Sequence, residues 1–395
     1  MASFVGFLEP TRPIIDWQLL QELRWKRARE IMAAEGLDAI LTNVVDNVIY
    51  LTGWPRHRTS VHPGSYAVLF LREQKEPVIF CSEGDSGAVK QDHFYSDIRV
   101  LPPWQNTWVS YFSRALEDYG LSEATVGLDT RMNASLYNGL VKSLPRVNFV
   151  NASTALNRMR MVKNPEEIKA YEYTVSLVEA GINVGIKACK ESWGRYSEIE
   201  IAAMAQYELL RRGCHATDIW CTSGERTAPV RRFSSAKPVR GGELVVIDGP
   251  GSFNGFRAEF ARTVWTGGRP GSEHKLLYRT IWEALEAAKE IMKPGTRTSD
   301  LEMACLRVVR EAGLEDYYGG YPYTGHGMGI RQEQPYITAR FPELDTELEE
   351  GMIINLEPAL WKEGVGGVRL EDIYLITATG YRVLSRAPYE EDLLD

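Results

Sequence analysis

Three acidic residues in this sequence end or interrupt apolar runs that read as buried strands. Asp248 closes Leu-Val-Val-Ile, Glu357 closes Met-Ile-Ile-Asn-Leu, and Glu371 sits inside Val-Arg-Leu-Glu-Asp-Ile-Tyr-Leu. A carboxylate in such a place is costly to bury unless a metal, an arginine or a shared proton meets it. Between Asp248 and a fourth acid, Glu259, lie Gly249, Gly251 and Gly255, which read as a hairpin bend. Gly364, Gly366 and Gly367 read the same way between Glu357 and Glu371. Two hairpins can thus bring four carboxylates together. A fifth donor stands in Tyr323-Thr-Gly-His-Gly-Met-Gly, where glycines on both sides of His326 permit close approach of backbone and ligand. One imidazole with four carboxylates is a hard, oxygen-rich set. It suits Mn, Fe, Co or Zn better than copper, and two bridged ions better than one. Arg369 lies two residues before Glu371, so in a continuous strand both share a face and Arg369 points into the site.

These residues need a scaffold, and the chain supplies two kinds. Up to residue 150, helix-like and strand-like segments alternate. Trp17 to Glu35 reads as a helix ended by Gly36, and Ala39 to Thr42, Ala67 to Leu71 and Pro77 to Cys81 read as short buried strands. Such alternation implies a small α/β domain, residues 1–160. Asn164-Pro165-Glu166-Glu167 then reads as a helix start, with Asn as cap, Pro in the first turn and acids at the positive end. Ser197 with Glu200 and Ser299 with Glu302 read as capping boxes, and Ser272 as a further cap. Strands are expected at Leu244 to Asp248, Phe256 to Trp265, Met352 to Glu357 and Gly367 to Ile376. The second domain, residues 161–395, is therefore α+β and carries the whole acidic constellation.

Composition excludes several functions. The chain has 395 residues, 44% hydrophobic and 25% charged, with a net charge of −8. At roughly 150 residues per domain, two domains fit. A polyanion binder would show a basic face. Here Arg56-His57-Arg58 and Arg231-Arg232 are too short for a nucleic-acid track and read as loop or substrate contacts. Five cysteines without a C-x-x-C pair are neither a disulfide framework nor a zinc knuckle, and a reducing cytoplasm is expected. No signal peptide and no membrane span are read.

The motifs IDGPGSFNGFRAEFART, TGHGMGI, LEEGMIINLEPAL and GVGGVRLEDIYLIT occur in order across residues 244–377. They resemble the creatinase, aminopeptidase P, prolidase and methionine aminopeptidase family, peptidase family M24. The resemblance implies a pita-bread catalytic domain behind a smaller creatinase-like N-terminal domain. It implies one or two divalent ions per chain held by Asp248, Glu259, His326, Glu357 and Glu371. It also implies a homodimer whose N-terminal domain lies near the neighbour's site.

Three departures from the family pattern stand out. Glu259 holds a slot ordinarily given to Asp. Arg231 and Glu333 hold slots where the peptidases carry substrate-orienting histidines. The segments Ser223 to Pro229 and His326 to Pro335 look closer to the dimethylsulfoniopropionate lyase branch. There, however, the proton-abstracting acid aligns with Gln332, an amide, and an extra acid with Pro250.

The leading expectation is metal-dependent hydrolysis of a C–N bond in a small polar, carboxylate-bearing molecule other than an ordinary peptide. The resemblance implies that Glu357 would shuttle the proton; Arg369, Arg231 and Arg226 would hold the carboxylate, and Trp54, His62, Tyr321 and Tyr323 would wall the pocket. One alternative is lyase-like β-elimination with Glu333 as base, releasing dimethyl sulfide and acrylate. A second is an Xaa-Pro dipeptidase or aminopeptidase.

Overall fold

The computed structural model describes residues 12–54, 66–92, 95–191, 194–228, 233–319 and 321–395. They divide into two compact units, Asp16–Arg160 and Met161–Asp395, and the described residues ahead of Asp16 group with the second. Among the described residues no helix is long and apolar enough to cross a membrane.

In the first unit Asp16 caps the helix Trp17–Ala34 through the Leu19 amide. Strands Ala39–Thr42, Ala67–Leu71 and Val78–Cys81 are buried along their whole length. They sit inside a six-stranded sheet that mixes parallel and antiparallel pairs. Burial on both faces explains their unbroken apolar runs.

The second unit is built on a long hairpin, Glu243–Phe253 with Phe256–Thr266. Asn254 and Gly255 both have positive φ, 47° and 82°. That is the two-residue turn whose twist matches the strands. The turn therefore lies at Asn254-Gly255, and Gly249 and Gly251 belong to the strand. These two serve close packing instead of bending. At Gly249, with φ 144°, a Cβ would stand 2.3 Å from the Asp218 carbonyl oxygen. Gly249→Ala is accordingly expected to destabilise the fold by about 1–3 kcal/mol, read as a lowered urea midpoint.

Helix Pro165–Glu191 packs along this hairpin. Its start is a reciprocal cap: Asn164 Oδ1 accepts from the Glu167 amide at 3.0 Å, and the Asn164 amide donates to Glu167 Oε2 at 2.9 Å. The Ser197–Glu200 capping box forms at helix Glu198–Arg211. The other two caps do not. Gly271 precedes helix Ser272–Ile291, and Arg297 precedes helix Thr298–Glu311. The Asp345 carboxylate reaches across to the Ser299 amide at 3.0 Å. Glu302 turns away to Thr324 and the Ala339 amide. A strong acceptor from another segment has displaced the local one.

A five-stranded sheet in the order Gln332–Ile337, Gly325–Met328, Ile353–Leu356, Asp372–Thr377, Gly380–Val383 completes the unit. The expected strand Gly367 to Ile376 is two strands. Gly366–Arg369 pairs with Ala359–Lys362, and Asp372–Thr377 joins the five-stranded sheet. Leu370 and Glu371 form the crossing between them, so Glu371 is placed by a change of sheet.

Candidate active site

In the hairpin register Asp248 faces Ala261 and Glu259 faces Pro250. Glu357 follows strand Ile353–Leu356, and its amide donates to the Thr324 carbonyl at 2.8 Å. The Glu371 amide donates to the Ala261 carbonyl at 3.2 Å, which fixes it against the hairpin. Buried Arg262 braces the same crossing, donating to the Glu371 carbonyl at 2.6 Å and pairing with Asp372 at 2.8 Å. Glycines around His326 act as anticipated. A Cβ at Gly325 would meet the Asn355 carbonyl oxygen at 2.3 Å, and one at Gly327 the Gln334 carbonyl oxygen at 2.2 Å.

Asp248, Glu259, His326, Glu357, Arg369 and Glu371 are all buried. Arg369 bridges two acids: Nη1 pairs with Asp248, and Nη2 lies 2.6 Å from Glu357 Oε2. Its backbone is pinned by Thr263, whose hydroxyl donates to the Arg369 carbonyl at 2.8 Å and accepts from the Arg369 amide at 2.9 Å. Arg369 thus points into the site as expected. The cause is this pinning and not a strand face shared with Glu371.

His326 Nδ1 lies 3.0 Å from the Gly327 carbonyl. Carrying its proton there leaves Nε2 facing the site. Nε2 is 3.0 Å from Glu259 Oε1 and 3.4 Å from Glu357 Oε1. Neither of those buried carboxylate oxygens has a polar partner other than this imidazole.

The electrostatics show a surplus of negative charge. Burial, with Glu357 and Glu259 nearby, pushes Asp248 up to about 6 despite Arg369. Burial and the neighbouring Glu357 and Asp248 carboxylates push Glu371 well above the usual range. Burial alone would lower His326, but Glu259 and Glu357 outweigh it and raise the imidazole to about 10. Burial alone would raise Glu259, but His326 and Arg257 draw it down to about 2.

This donor set fits a hard divalent cation. The chemistry is carboxylate and imidazole, and the two carboxylate oxygens whose one polar neighbour is His326 Nε2 are what a cation would satisfy. Among the described residues no three or more His, Cys, Asp or Glu side chains are grouped so as to hold a metal ion as they stand. Arg369 occupies the space between Asp248 and Glu357, and Asn355 holds Glu371.

Other expected residues divide. Tyr321 stacks on Arg369, with the guanidinium carbon 4.6 Å from the ring centre, and Tyr323 meets His326 edge-on at 5.7 Å. Arg226 is committed elsewhere: its Nε lies 3.0 Å from buried Glu198, and Nη2 donates to the Phe233 carbonyl. It closes a loop instead of offering a free fork to substrate. Glu333 is buried and lies 3.4 Å from buried Lys163, its carboxylate filling the space over Gly329. That ion pair takes away the free base that β-elimination would need. Lys163→Met, which strips Glu333 of this cation, is expected to cost about 3 kcal/mol or more. A Lys163→Met/Glu333→Leu double variant should recover much of it in urea unfolding. Trp54 packs edge-on to Tyr66 at 4.9 Å in the core of the first unit. His62, Arg231 and the Arg56 to Arg58 cluster lie outside the described residues.

Two residues at the site, Asn355 and Arg257, were not anticipated, and a third, Gln332, was read only as an amide in place of the lyase branch's acid. Asn355 accepts from the His326 amide at 2.6 Å and donates to Glu371 Oε1 at 2.6 Å. An amide inside an apolar strand, two before Glu357, was the available signal, because buried amides must be bonded. Gln332 Nε2 approaches His326 Nε2 at 2.9 Å. Arg257 Nη2 lies 3.1 Å from Glu259 Oε2, and its spacing of two from Glu259 was the clue.

Residues 24–162 match the family described as Creatinase/Prolidase N-terminal domain, and residues 169–378 match Metallopeptidase family M24. The chain is 29% identical over 372 residues to the Xaa-Pro dipeptidase of Pyrococcus furiosus, covering 93% of this chain and 99% of the relative. It is 26% identical over 367 residues to the Xaa-Pro dipeptidase of Pyrococcus horikoshii, covering 92% and 97%. The solved structure of an Xaa-Pro dipeptidase from Bacillus anthracis shares the fold, with a TM-score of 0.80 at 22% identity over 94% of this chain and 99% of that one.

Proposed function

Because this chain belongs to metallopeptidase family M24, with a pita-bread catalytic domain behind a creatinase-type N-terminal domain, we propose that it is a metal-dependent dipeptidase. Its substrate is a small molecule with a free carboxylate, and Xaa-Pro dipeptides are the leading class. The observation that carries this reading is the pair of carboxylate oxygens, Glu259 Oε1 and Glu357 Oε1, that meet only His326 in a buried, acid-rich site. Asp248, Glu259, His326, Glu357 and Glu371 are the residues that would hold the ion, one or two of Mn, Fe, Zn or Co per chain. When bound, such an ion polarises a carbonyl and makes water acidic enough to attack near neutral pH.

The remaining steps belong to the protein. Arg369 holds Glu357 by Oε2 and leaves Oε1 facing His326. The Glu357 carboxylate takes the proton from attacking water and delivers it to the leaving nitrogen, so one water and one amide give one acid and one amine. Tyr321 and Tyr323 flank the site as its aromatic wall.

Arg231 and Glu333, in place of two histidines, argue in the sequence against an ordinary peptidase. Similarity to named dipeptidases across more than nine-tenths of both chains favours the dipeptidase reading over that expectation. Those two positions then concern how substrate is oriented. β-Elimination is not carried forward, because the relatives are dipeptidases and Glu333 is paired with Lys163.

The test is direct. Protein stripped by chelator and reloaded with Mn, Co or Zn is given glycyl-proline and alanyl-proline, with alanyl-alanine as control. Release of proline that returns with metal is expected. Cleavage that survives complete chelation, or no cleavage with any metal, would sink the reading.

A further inference from the structure

A site with four carboxylates repels an anionic substrate, so the carboxylate that the proposed function requires must meet a cation. Of the arginines expected to hold it, Arg231 lies outside the described residues, while Arg369 and Arg226, like the nearby Lys163, are committed. Arg369 is held between Asp248 and Glu357, Lys163 pairs with Glu333, and Arg226 is bound by Glu198. Arg257 differs. It stands two residues before Glu259 in strand Phe256–Thr266, so both side chains share the face turned to the site. Its backbone amide donates to the Gly329 carbonyl at 3.0 Å, which ties it to the loop after the His326 strand. One nitrogen, Nη2, meets Glu259 at 3.1 Å. Like Arg369, Arg257 keeps a buried Nε with no hydrogen-bond partner, but only one of its terminal nitrogens is paired and its side chain remains 30% exposed, against 4% for Arg369. A buried N–H without an acceptor calls for an explanation, and a planar guanidinium is shaped to take a carboxylate.

We propose that Arg257 is the substrate-carboxylate anchor of this site. Glu259 then does two jobs on opposite sides of one carboxylate. Oε2 orients Arg257, while Oε1 faces His326. The inference deepens the dipeptidase reading and rests on it for the identity of the substrate. The anchor should select free acids over amides and esters of otherwise equal shape.

Calorimetric titration of the metal-loaded protein with L-proline and L-prolinamide tests this without relying on turnover. Wild type is expected to bind proline roughly ten- to a hundredfold more tightly than prolinamide, the range of charge-assisted hydrogen bonds. Arg257→Met should abolish the preference, so that proline binds no more tightly than prolinamide to the variant, and Arg257→Lys should restore part of it. Unaltered circular dichroism and thermal midpoint would show that the variants are folded. A preference that persists in Arg257→Met overturns the proposal, and so does a wild type that binds neither probe. Should the preference depend on Arg257 while no dipeptide is cleaved, the anchor stands and the dipeptidase reading falls.

Discussion

Glu357→Gln is expected to lower kcat on an Xaa-Pro dipeptide by about a thousandfold, within the 10²–10⁴ range of general acid–base catalysis. The change is isosteric. The Gln carbonyl can still accept from Arg369, so the packing around Glu357 and Arg369 has little reason to collapse. What disappears is the carboxylate oxygen whose one polar neighbour is His326 Nε2, at 3.4 Å. An amide cannot take up a proton from water near neutral pH. Loss of a metal ligand would also lower activity, so elemental mass spectrometry should accompany the kinetics. Metal content near wild type with kcat lost identifies the proton carrier. Turnover close to wild type in a fully loaded Glu357→Gln protein would remove Glu357 from that role.

The second large effect is expected at Arg369. Its two terminal nitrogens serve two different acids, Asp248 and Glu357, inside a buried site. Arg369→Met strands both carboxylates without their cation. Removing one partner of a buried ion pair costs about 3–5 kcal/mol. Metal-free Arg369→Met should therefore unfold at a clearly lower urea concentration than metal-free wild type. Arg369→Lys should recover only part of the loss, because one ammonium cannot fork to both acids. Saturating metal should narrow the gap between Arg369→Met and wild type, since a cation bound to the folded state supplies some of the missing charge. An equal gap with and without metal would show that Asp248 and Glu357 do not face a cation.

Sequence alone determined what could be read from residue type and local pattern. Acids at the ends of apolar runs marked Asp248, Glu357 and Glu371, because burial makes an unpaired carboxylate improbable whatever the fold. Glycines beside His326 marked a close approach, and the structure puts the Asn355 and Gln334 carbonyls there. The Asn164 and Ser197 caps formed because their partners lie three residues away. Helix starts failed where a distant acceptor competed, as Asp345 does at Ser299. The strand holding Arg369 and Glu371 broke because each half found a different sheet.

Tertiary structure decided which charge meets which. Asp248 and Arg369 are 121 residues apart, and Lys163 and Glu333 are 170 apart. Periodicity reports burial and cannot rank such partners. So Arg226 looked available until Glu198 claimed it, and Glu333 looked like a base until Lys163 did. Arg257 and Asn355 stayed unnoticed because an arginine near a strand end and an amide within a strand are ordinary until their partners are known. An ion pair or a buried hydrogen bond is a property of two positions, and only the folded chain brings the second one near.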